Sequence, residues 1–311
     1  MKLRAETLLE IHDLSISFRM YEHGLKQWDL QVISDLHLTV FPGEIVAVAG
    51  SSGSGKSLLA SAILGILPGN AKVRGQMLYK GQELDGRRQE KLRGTEIALV
   101  PQSVAFLDPL MKVGAQADGH RSPRLTEKRK QLFKRFGLPE KTEGLYPFQL
   151  SGGMARRVLV STALITDAEL IIADEPTPGM SLEQTMEALG MFREMADGGK
   201  SVILITHDID LAFEFADRVA VFYAGTTVEI TPVSDFKKGS DSLRHPYTKA
   251  LWHALPQNGF QPIEGFQPYA GNLTRGCLFA PRCPQRTAQC VADVPPVREI
   301  RGGEVRCYYG A

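Results

Sequence analysis

The sequence lacks an apolar run long enough to cross a bilayer. Its most hydrophobic stretches are far shorter than the roughly 20 residues that a membrane helix needs, and they lie at residues 45–49, 170–173 and 202–205. The beginning of the chain, MKLRAETLLEIHDL, mixes charges into its apolar positions and so lacks the uninterrupted core of a secretory signal. We therefore expect a cytoplasmic protein that acts at a membrane only through a partner.

The sequence also lacks an excess of charge of either sign. Its 36 basic residues stand against 35 acidic ones, which argues against the strongly cationic surface that neutralises nucleic-acid phosphates. All four cysteines lie at position 277 or later, unlike the scattered cysteines of a disulfide-bonded secreted scaffold. With 43% hydrophobic residues, 311 residues can bury one large α/β core and a smaller appendage.

Two hydrophobic patterns predict an α/β fold with two kinds of sheet. Apolar and polar positions alternate over residues 14–18 and 36–40, which indicates half-buried antiparallel strands and hence an N-terminal β layer. Short continuous apolar runs are typical of parallel strands that are buried on both faces. Such runs occur at residues 45–49, 97–100, 170–173 and 202–205.

The strand patterns are absent from residue 102 to about residue 165, which predicts an inserted helical subdomain. Within it, LTEKRKQLFKRFG is expected to form an exposed amphipathic helix that ends at Gly137. After a short hairpin, the chain becomes rich in Pro, Gly and isolated charges from about residue 232. We therefore divide the chain into a main domain over residues 1–232 and a C-terminal extension over residues 233–311.

A glycine-rich loop of the form G-x-x-x-x-G-K-[ST] follows the first predicted parallel strand and precedes a predicted helix, which is the context that this motif requires. Its backbone N–H groups can turn inward around phosphate oxygens, Lys56 would reach the β and γ phosphates of ATP, and Ser57 would ligate Mg²⁺. A glycine-rich turn without a ligand is the alternative, and the context disfavours it. The loop consists of Gly50, Ser51, Ser52, Gly53, Ser54, Gly55, Lys56 and Ser57.

Two adjacent carboxylates, Asp174 and Glu175, end another buried strand. Carboxylates are costly to place there unless they face a cation or a polar ligand. Asp174 suits Mg²⁺ binding through water. Glu175 suits orientation or deprotonation of the attacking water, because phosphoryl transfer depends mainly on positioning and charge stabilisation. Two solvated acids at a strand end are the alternative.

The segment LSGGM contains a second exposed nest of backbone donors, in which Ser151, Gly152 and Gly153 open a predicted helix. One nucleotide site does not need two such nests. The arrangement makes sense if this nest closes on the γ-phosphate held by the phosphate loop of a different subunit, so that ATP joins a head-to-tail dimer. The sequence therefore predicts a partner with its own nucleotide site.

In their order and spacing, these motifs resemble those of the ABC transporter ATPases over about residues 8–230. The resemblance implies the P-loop NTPase fold of an ABC cassette. It also implies that Gln102 is the Q-loop residue, which contacts Mg²⁺ and the attacking water, and that His207 is the switch histidine, which contacts the γ-phosphate. Phe18 matches the aromatic residue that stacks on adenine. The alternatives are that Phe18 belongs to the core of the first strand and that Tyr21 stacks on adenine instead.

One loop departs from the family pattern. The family usually ends this loop with Leu-Asp, whereas this chain reads Pro-Gly-Met-Ser, and Ser181 takes the place of the aspartate. Because the loop carries information between two ATP sites in the family, we expect ATP hydrolysis that is unequal between the sites. A subunit that binds ATP without hydrolysing it is the alternative.

The C-terminal extension resembles the tail of the oligopeptide, dipeptide and nickel importer ATPases, through HPYTKAL at residues 245–251 and GCLFAPRCP at residues 276–284. Four soft ligands follow the spacing C-x5-C-x6-C-x16-C in a segment too small to fold on its own core. Similar cysteines hold a [4Fe-4S] cluster in family members, which favours iron–sulfur over zinc and over free or disulfide-bonded thiols. The cysteines are Cys277, Cys283, Cys290 and Cys307.

The resemblance implies the ATPase subunit of an importer for peptides, nickel or a metal chelate, bound peripherally at the cytoplasmic face of the membrane. It implies two transmembrane permeases, an extracytoplasmic solute-binding protein and a second ABC ATPase, for which a heterodimer is favoured over a homodimer. Nucleic acid is not an expected partner. The alternative is a soluble ABC-type ATPase in a non-transport complex such as the carbon–phosphorus lyase assembly.

Overall fold

The computed structural model describes residues 7–21, 24, 26–118, 123–273 and 275–310. The segment MKLRAETLLEIHDL, which the sequence analysis compared with a secretory signal, has its first six residues outside the described part of the chain. No helix of the described residues has the length and apolarity to span a bilayer.

The described part of the chain forms twelve strands and ten α-helices. The strands are β1 (Leu9–Tyr21), β2 (Gln27–Val40), β3 (Ile45–Gly50), β4 (Ala71–Tyr79), β5 (Gln82–Glu83), β6 (Ile97–Val100), β7 (Leu170–Asp174), β8 (Ser201–Ile205), β9 (Arg218–Tyr223), β10 (Thr226–Pro232), β11 (Val297–Ile300) and β12 (Gly303–Arg306). The helices are α1 (Lys56–Leu64), α2 (Gly86–Leu92), α3 (Val113–Asp118), α4 (Pro123–Arg135), α5 (Gly152–Leu164), α6 (Leu182–Asp197), α7 (Ile209–Phe215), α8 (Val233–Lys238), α9 (Pro246–Ala254) and α10 (Ala288–Ala292).

The chain folds into two compact units. The first unit comprises Met1–Phe41, Val46–Asp85 and His207–Ala311, and the second comprises Pro42–Ile45 and Gly86–Thr206. The boundary near residue 232 falls inside the first unit and stays a prediction.

The predicted N-terminal β layer is present in the first unit. Strand β1 pairs antiparallel with β2 and β4, and Leu14 of β1 lies opposite Leu36 of β2. Most of the alternating apolar side chains of both strands are fully buried, including Leu14, Ile16, Leu36 and Leu38, whereas Phe18 is half-buried. Period-two hydrophobic alternation therefore gave the correct strands and the correct inward face.

A second set of strands in the first unit runs in the order β11-β12-β10-β9-β3. Strand β3 is parallel to β9, while β9 and β10 form the predicted hairpin. The hairpin turn needs glycine at position 225, because a Cβ there would lie 2.0 Å from the Val32 carbonyl oxygen. Strands β11 and β12 come from the C-terminal extension, and the sequence analysis did not predict them.

Arg244 fastens the extension to this sheet. Its guanidinium group is almost fully buried and contacts Glu229 at 3.3 Å and Asp235 at 2.9 Å. It also donates hydrogen bonds to the carbonyl oxygens of Ile300, at the end of β11, and Arg301. Burial raises the pKa of Glu229. The hydrogen bonds that its carboxylate accepts from the backbone N–H groups of His245 and Arg244 oppose that shift. A paired buried charge of this kind stabilises one arrangement because an uncompensated charge would be costly.

The second unit contains the other predicted parallel strands. Strand β7 pairs in parallel with β6 on one side and with β8 on the other. Strands β7 and β8 are buried throughout. No strand occurs among the described residues between 102 and 165, where α3, α4 and α5 lie. Helix α4 matches the predicted amphipathic helix, and the chain turns at Gly137 with φ 61°.

His37 provides a test of the pH dependence of folding. Burial, followed by the charge of Arg306, lowers the pKa of His37 to about 3, whereas an unfolded histidine titrates near 6.5. The unfolded chain therefore binds more protons between these values, so stability from His37 is present above pH 6.5 and is lost as the pH falls toward 3. The slope it contributes reaches about 1.4 kcal/mol per pH unit.

We expect His37→Gln to reduce the rise in unfolding free energy between pH 5 and pH 6.5, measured by urea denaturation. His253→Gln, a substitution in the last turn of α9, is measured in parallel for comparison. An unchanged slope in His37→Gln would contradict the assignment.

Candidate nucleotide site

The phosphate loop occupies the turn between β3 and α1, as predicted. Gly55 precedes the helix in the left-handed conformation, with φ 91°. Lys56 is buried and extends back over the loop, where its Nζ donates to the carbonyl oxygens of Gly50 at 2.9 Å and Ser51 at 3.1 Å. The ammonium group is thereby held beside the loop's backbone, which is the position from which it can contact phosphate oxygens.

The start of the phosphate loop, at position 50, has room only for glycine. The φ of Gly50 is 154°, and a Cβ at this position would lie 2.3 Å from the Phe222 carbonyl oxygen, which belongs to the neighbouring strand β9. Gly53 also has a positive φ, of 77°, but a Cβ there would meet nothing within 4 Å.

This pair gives a matched prediction. Gly50→Ala should lower the unfolding free energy by at least about 2 kcal/mol, because backbone atoms must move apart. Gly53→Ala should cost about 1 kcal/mol, because it meets only the cost of a positive φ. Thermal or urea unfolding of both variants tests the difference, and equal losses would show that crowding at Gly50 is not the cause.

The structure adds two contacts to the phosphate loop that the sequence did not indicate. The Ser51 hydroxyl donates a hydrogen bond to the side-chain oxygen of Gln267, and Tyr247 of α9 lies beside Ser51. Burial raises the pKa of Tyr247, and its contacts with Ser51 act in the opposite direction. Two residues of the C-terminal extension therefore contact the loop, and the HPYTKAL segment supplies one of them.

The two predicted carboxylates end strand β7 in the second unit. Asp174 is 6% exposed. Glu175 adopts a left-handed backbone conformation with φ 46°, and its N–H donates to the Ile205 carbonyl oxygen at 2.8 Å. A non-glycine residue in this conformation is strained and is common at functional sites. The turn places the Glu175 side chain outside the ladder of β7.

Gln102 lies within hydrogen-bonding distance of Glu175. The Gln102 Nε2 donates to Glu175 Oε2 at 3.2 Å. The backbone of Gln102 is held by Arg156 of α5, whose guanidinium donates to the carbonyl oxygens of Pro101 at 3.1 Å and Gln102 at 2.5 Å. Burial lowers the pKa of Arg156, while the Glu175 charge opposes this shift.

Arg156 holds the backbone of the Gln102 loop, a contact that the sequence analysis did not predict. Five positions separate it from Ser151 on the same helix, and only its place in an otherwise apolar face of α5 could have drawn attention to it. It positions the Gln102 loop and does not itself need to contact a ligand.

The second nest opens α5 as predicted. Ser151 is the N-cap residue, and its hydroxyl accepts a hydrogen bond from the Met154 N–H at 3.3 Å. Ser151 and Gly152 are exposed, so the helix N-terminus faces solvent. A Cβ at Gly153 would lie 3.1 Å from the Gly179 carbonyl oxygen, so glycine lets the nest approach the loop that leads to Ser181.

Ser181 has a clear structural role of its own. It caps α6, accepting a hydrogen bond from the Gln184 N–H at 3.3 Å, while the Gln184 side chain accepts one from the Ser181 N–H at 3.3 Å. This reciprocal capping box stabilises the helix start. The departure from the family's aspartate therefore preserves the helix that begins there.

The two aromatic candidates for adenine stacking, Phe18 and Tyr21, and the predicted switch histidine, His207, differ in their solvent exposure. Phe18 is half-buried opposite Leu30 of β2, so it is not one of the fully buried core residues of β1. Tyr21 is 65% exposed. His207 is exposed just beyond β8 and precedes Asp208, which caps α7.

The four cysteines of the extension are all free thiols that line one small cavity together with His245. Cys290 and Cys307 are buried, whereas Cys277 and Cys283 are partly exposed. Burial raises the pKa of Cys277 to about 11, against the hydrogen bonds from the Phe279 and Ala280 N–H groups. Among the residues described, no group of three or more histidine, cysteine, aspartate or glutamate side chains is close enough to form a metal site.

Comparison with known proteins agrees with this fold and these motifs. Residues 33–178 match the ABC transporter family, and residues 228–290 match the oligopeptide/dipeptide transporter C-terminal region. The chain is similar to the dimeric ATP-binding cassette MJ0796, with a TM-score of 0.64, 24% identity and coverage of 72% of this chain and 98% of that one. A likeness at this identity establishes the fold.

Two curated relatives match over nearly the whole chain. The dipeptide transport ATP-binding protein DppD of Bacillus subtilis is 34% identical, covering 97% of this chain and 95% of its own length. The oligopeptide transport ATP-binding protein OppD of Mycobacterium tuberculosis is 34% identical over 94% of this chain and 50% of its own length.

The fold and the family match define an ATP-binding cassette. The chain belongs to the ABC transporter ATP-binding proteins of the oligopeptide and dipeptide importer family. It is an ATPase subunit of an ABC importer.

Proposed function

We propose that this subunit hydrolyses ATP to drive the uptake of short peptides through partner permeases. The observation that carries the proposal is the end-to-end similarity to the dipeptide relative, which includes the C-terminal region after residue 228. Both named relatives transport peptides or dipeptides by name, which favours peptides over nickel or a metal chelate.

The phosphate loop would bind the nucleotide. Its backbone N–H groups and the start of α1 would hold phosphate oxygens, and Lys56 would place a positive charge on the β and γ phosphates. The hydroxyl of Ser57 and the buried carboxylate of Asp174 are hard oxygen donors of the kind that suit Mg²⁺. When bound, Mg²⁺ would neutralise charge on the phosphates.

Glu175 would orient and deprotonate the attacking water. The hydrogen bond from Gln102 fixes the Glu175 carboxylate, and Arg156 fixes the Gln102 backbone, so a chain of contacts positions the base. Gln102 would also contact Mg²⁺, and His207 would contact the γ-phosphate. Phe18, half-buried on β1, would stack on adenine.

The exposed nest of Ser151, Gly152 and Gly153 would close on the γ-phosphate of a second ABC ATPase subunit. Hydrolysis then requires a dimer, for which we propose a related subunit rather than a second copy. Ser181 lies in the loop that packs against Gly153 and supplies a hydroxyl where the family has a carboxylate, and we propose on this ground that the two sites differ in activity.

We also propose that the four cysteines bind a [4Fe-4S] cluster, with zinc as the alternative. The donor set fits a soft metal centre, because four free thiols and no acidic side chain share one cavity. The thiols would have to move closer and lose their protons on binding. The centre would hold together loops that have little apolar core. It would supply no redox step to ATP hydrolysis.

Metal analysis of the full chain purified without oxygen tests this proposal. We expect about four iron and four acid-labile sulfide atoms per chain, with loss of both in Cys290→Ser and retention in Ser240→Ala, a control in the same extension. Stoichiometric zinc without sulfide would support the alternative, and the absence of both would rule out a metal centre.

The proposed assembly contains two ABC ATPases and two permeases at the cytoplasmic face of the membrane, served by a solute-binding protein. To test it, the Glu175→Gln chain would be purified from detergent-solubilised membranes with ATP present, and every bound protein identified. We expect a second cassette and two permeases. Recovery of soluble enzymes alone, as in a carbon–phosphorus lyase complex, would reject transport while leaving the ATPase assignment intact.

A further inference from the structure

A cavity of about 290 Å³ lies in the first unit, beside strands β2 and β10 and the loop that carries Cys277. Its volume is at the lower end of the range for small-molecule sites. Among the described residues, its lining includes none of the phosphate loop. The cavity is therefore separate from the nucleotide chemistry assigned above.

Two buried polar atoms on side chains of the lining lack a hydrogen-bond partner. Arg306 and Thr226 are 8% and 7% exposed, respectively. Arg306 Nη2 donates to the Asp35 carbonyl oxygen at 2.6 Å, but neither Arg306 Nε nor Thr226 Oγ1 has a partner within the described part of the chain. Buried polar atoms are nearly always satisfied in native proteins, so this pair leaves hydrogen-bonding capacity unused beside the cavity.

The charges around the cavity have both signs. Arg275 is exposed at the lining and adds a second guanidinium group to that of Arg306, while Asp35 contributes an exposed carboxylate. Guanidinium groups bind carboxylates with paired, charge-assisted hydrogen bonds, and a carboxylate binds an ammonium group in the same way. The rest of the lining is largely apolar and includes Val228, Leu278, Phe279 and Val294.

We propose that this cavity binds a small zwitterion, an amino acid or a dipeptide. The ligand carboxylate binds at Arg275 and Arg306 with a contribution from Thr226, its ammonium group binds at Asp35, and its side chain packs against the apolar wall. The proposal goes beyond the transport role, since it gives the extension a small organic ligand in addition to the proposed metal centre. Its test uses no transport measurement, so the two can fail separately.

Isothermal titration of the full chain with alanyl-phenylalanine at millimolar concentrations tests the proposal. N-acetyl-alanyl-phenylalanine removes the ammonium charge, and alanyl-phenylalanine amide removes the carboxylate. We expect one binding site for the dipeptide and at least about tenfold weaker binding for each blocked analogue. Free phenylalanine, titrated in parallel, distinguishes an amino acid from a peptide as the natural source.

Two substitutions locate the site. Arg275→Gln removes an exposed charge without disturbing the core and should weaken dipeptide binding about tenfold. Thr226→Val keeps the shape of the side chain and should weaken binding several-fold. Arg286→Gln, an exposed arginine of the same extension outside the cavity, should have no effect.

Loss of affinity confined to Arg275→Gln and Thr226→Val, with discrimination against both blocked analogues, would support the zwitterion site. The proposal would be overturned by an absence of heat of binding at millimolar dipeptide, by equal binding of the blocked analogues, or by equal weakening in Arg286→Gln.

Discussion

Replacing Glu175 by Gln is expected to lower the ATP turnover of the assembled transporter about 10²- to 10³-fold. The amide keeps the oxygen that accepts the hydrogen bond from Gln102, so the local geometry survives, but it cannot take a proton from water. ATP binding should therefore persist while hydrolysis is lost, and the closed dimer should accumulate. Phosphate release and size-exclusion chromatography with ATP measure the two effects.

Glu183→Gln is the matched control, since Glu183 is an exposed acid in the first turn of α6. It should leave turnover within about twofold of the wild type. Undiminished turnover in Glu175→Gln would mean that this subunit's own site is silent and that the facing subunit performs the hydrolysis.

Replacing Lys56 by Ala is expected to weaken ATP binding by at least about 100-fold. The side chain supplies a buried positive charge that the loop already holds through Gly50 and Ser51, and charge-assisted contacts to phosphate are among the strongest in proteins. Lys56→Arg should also weaken binding, because the planar guanidinium is bulkier than the compact ammonium. Titration with a fluorescent ATP analogue measures both affinities.

Lys91→Ala, in the last turn of α2, removes an exposed positive charge and serves as the control. Its affinity for ATP should match that of the wild type. If Lys56→Ala also bound ATP normally, the assignment of the phosphate loop as the nucleotide site would be wrong.

The sequence predicted the parts of the fold that depend on local patterns. Strands β6, β7 and β8 were found because burial on both faces demands continuous apolar runs, and α4 was found from its amphipathic period. The phosphate loop and the Asp174–Glu175 pair were found because glycines and carboxylates at strand ends are rare without a ligand.

The missed features depend on contacts between distant parts of the chain. Strands β11 and β12 are short and carry charged residues, and they become strands through pairing with β10. The hydrogen bond between Ser51 and Gln267 joins residues 216 positions apart, and the burial of Arg156 depends on where the Gln102 loop folds. No local pattern encodes such contacts.

Peptide uptake by the purified transporter in proteoliposomes tests the central claim most directly. With ATP on the side of this subunit and the solute-binding protein on the opposite side, we predict accumulation of a labelled dipeptide by the wild-type complex and none by the Glu175→Gln complex. Uptake that is independent of ATP, or equal in the two complexes, would contradict the account, as would ATP hydrolysis without any movement of peptide.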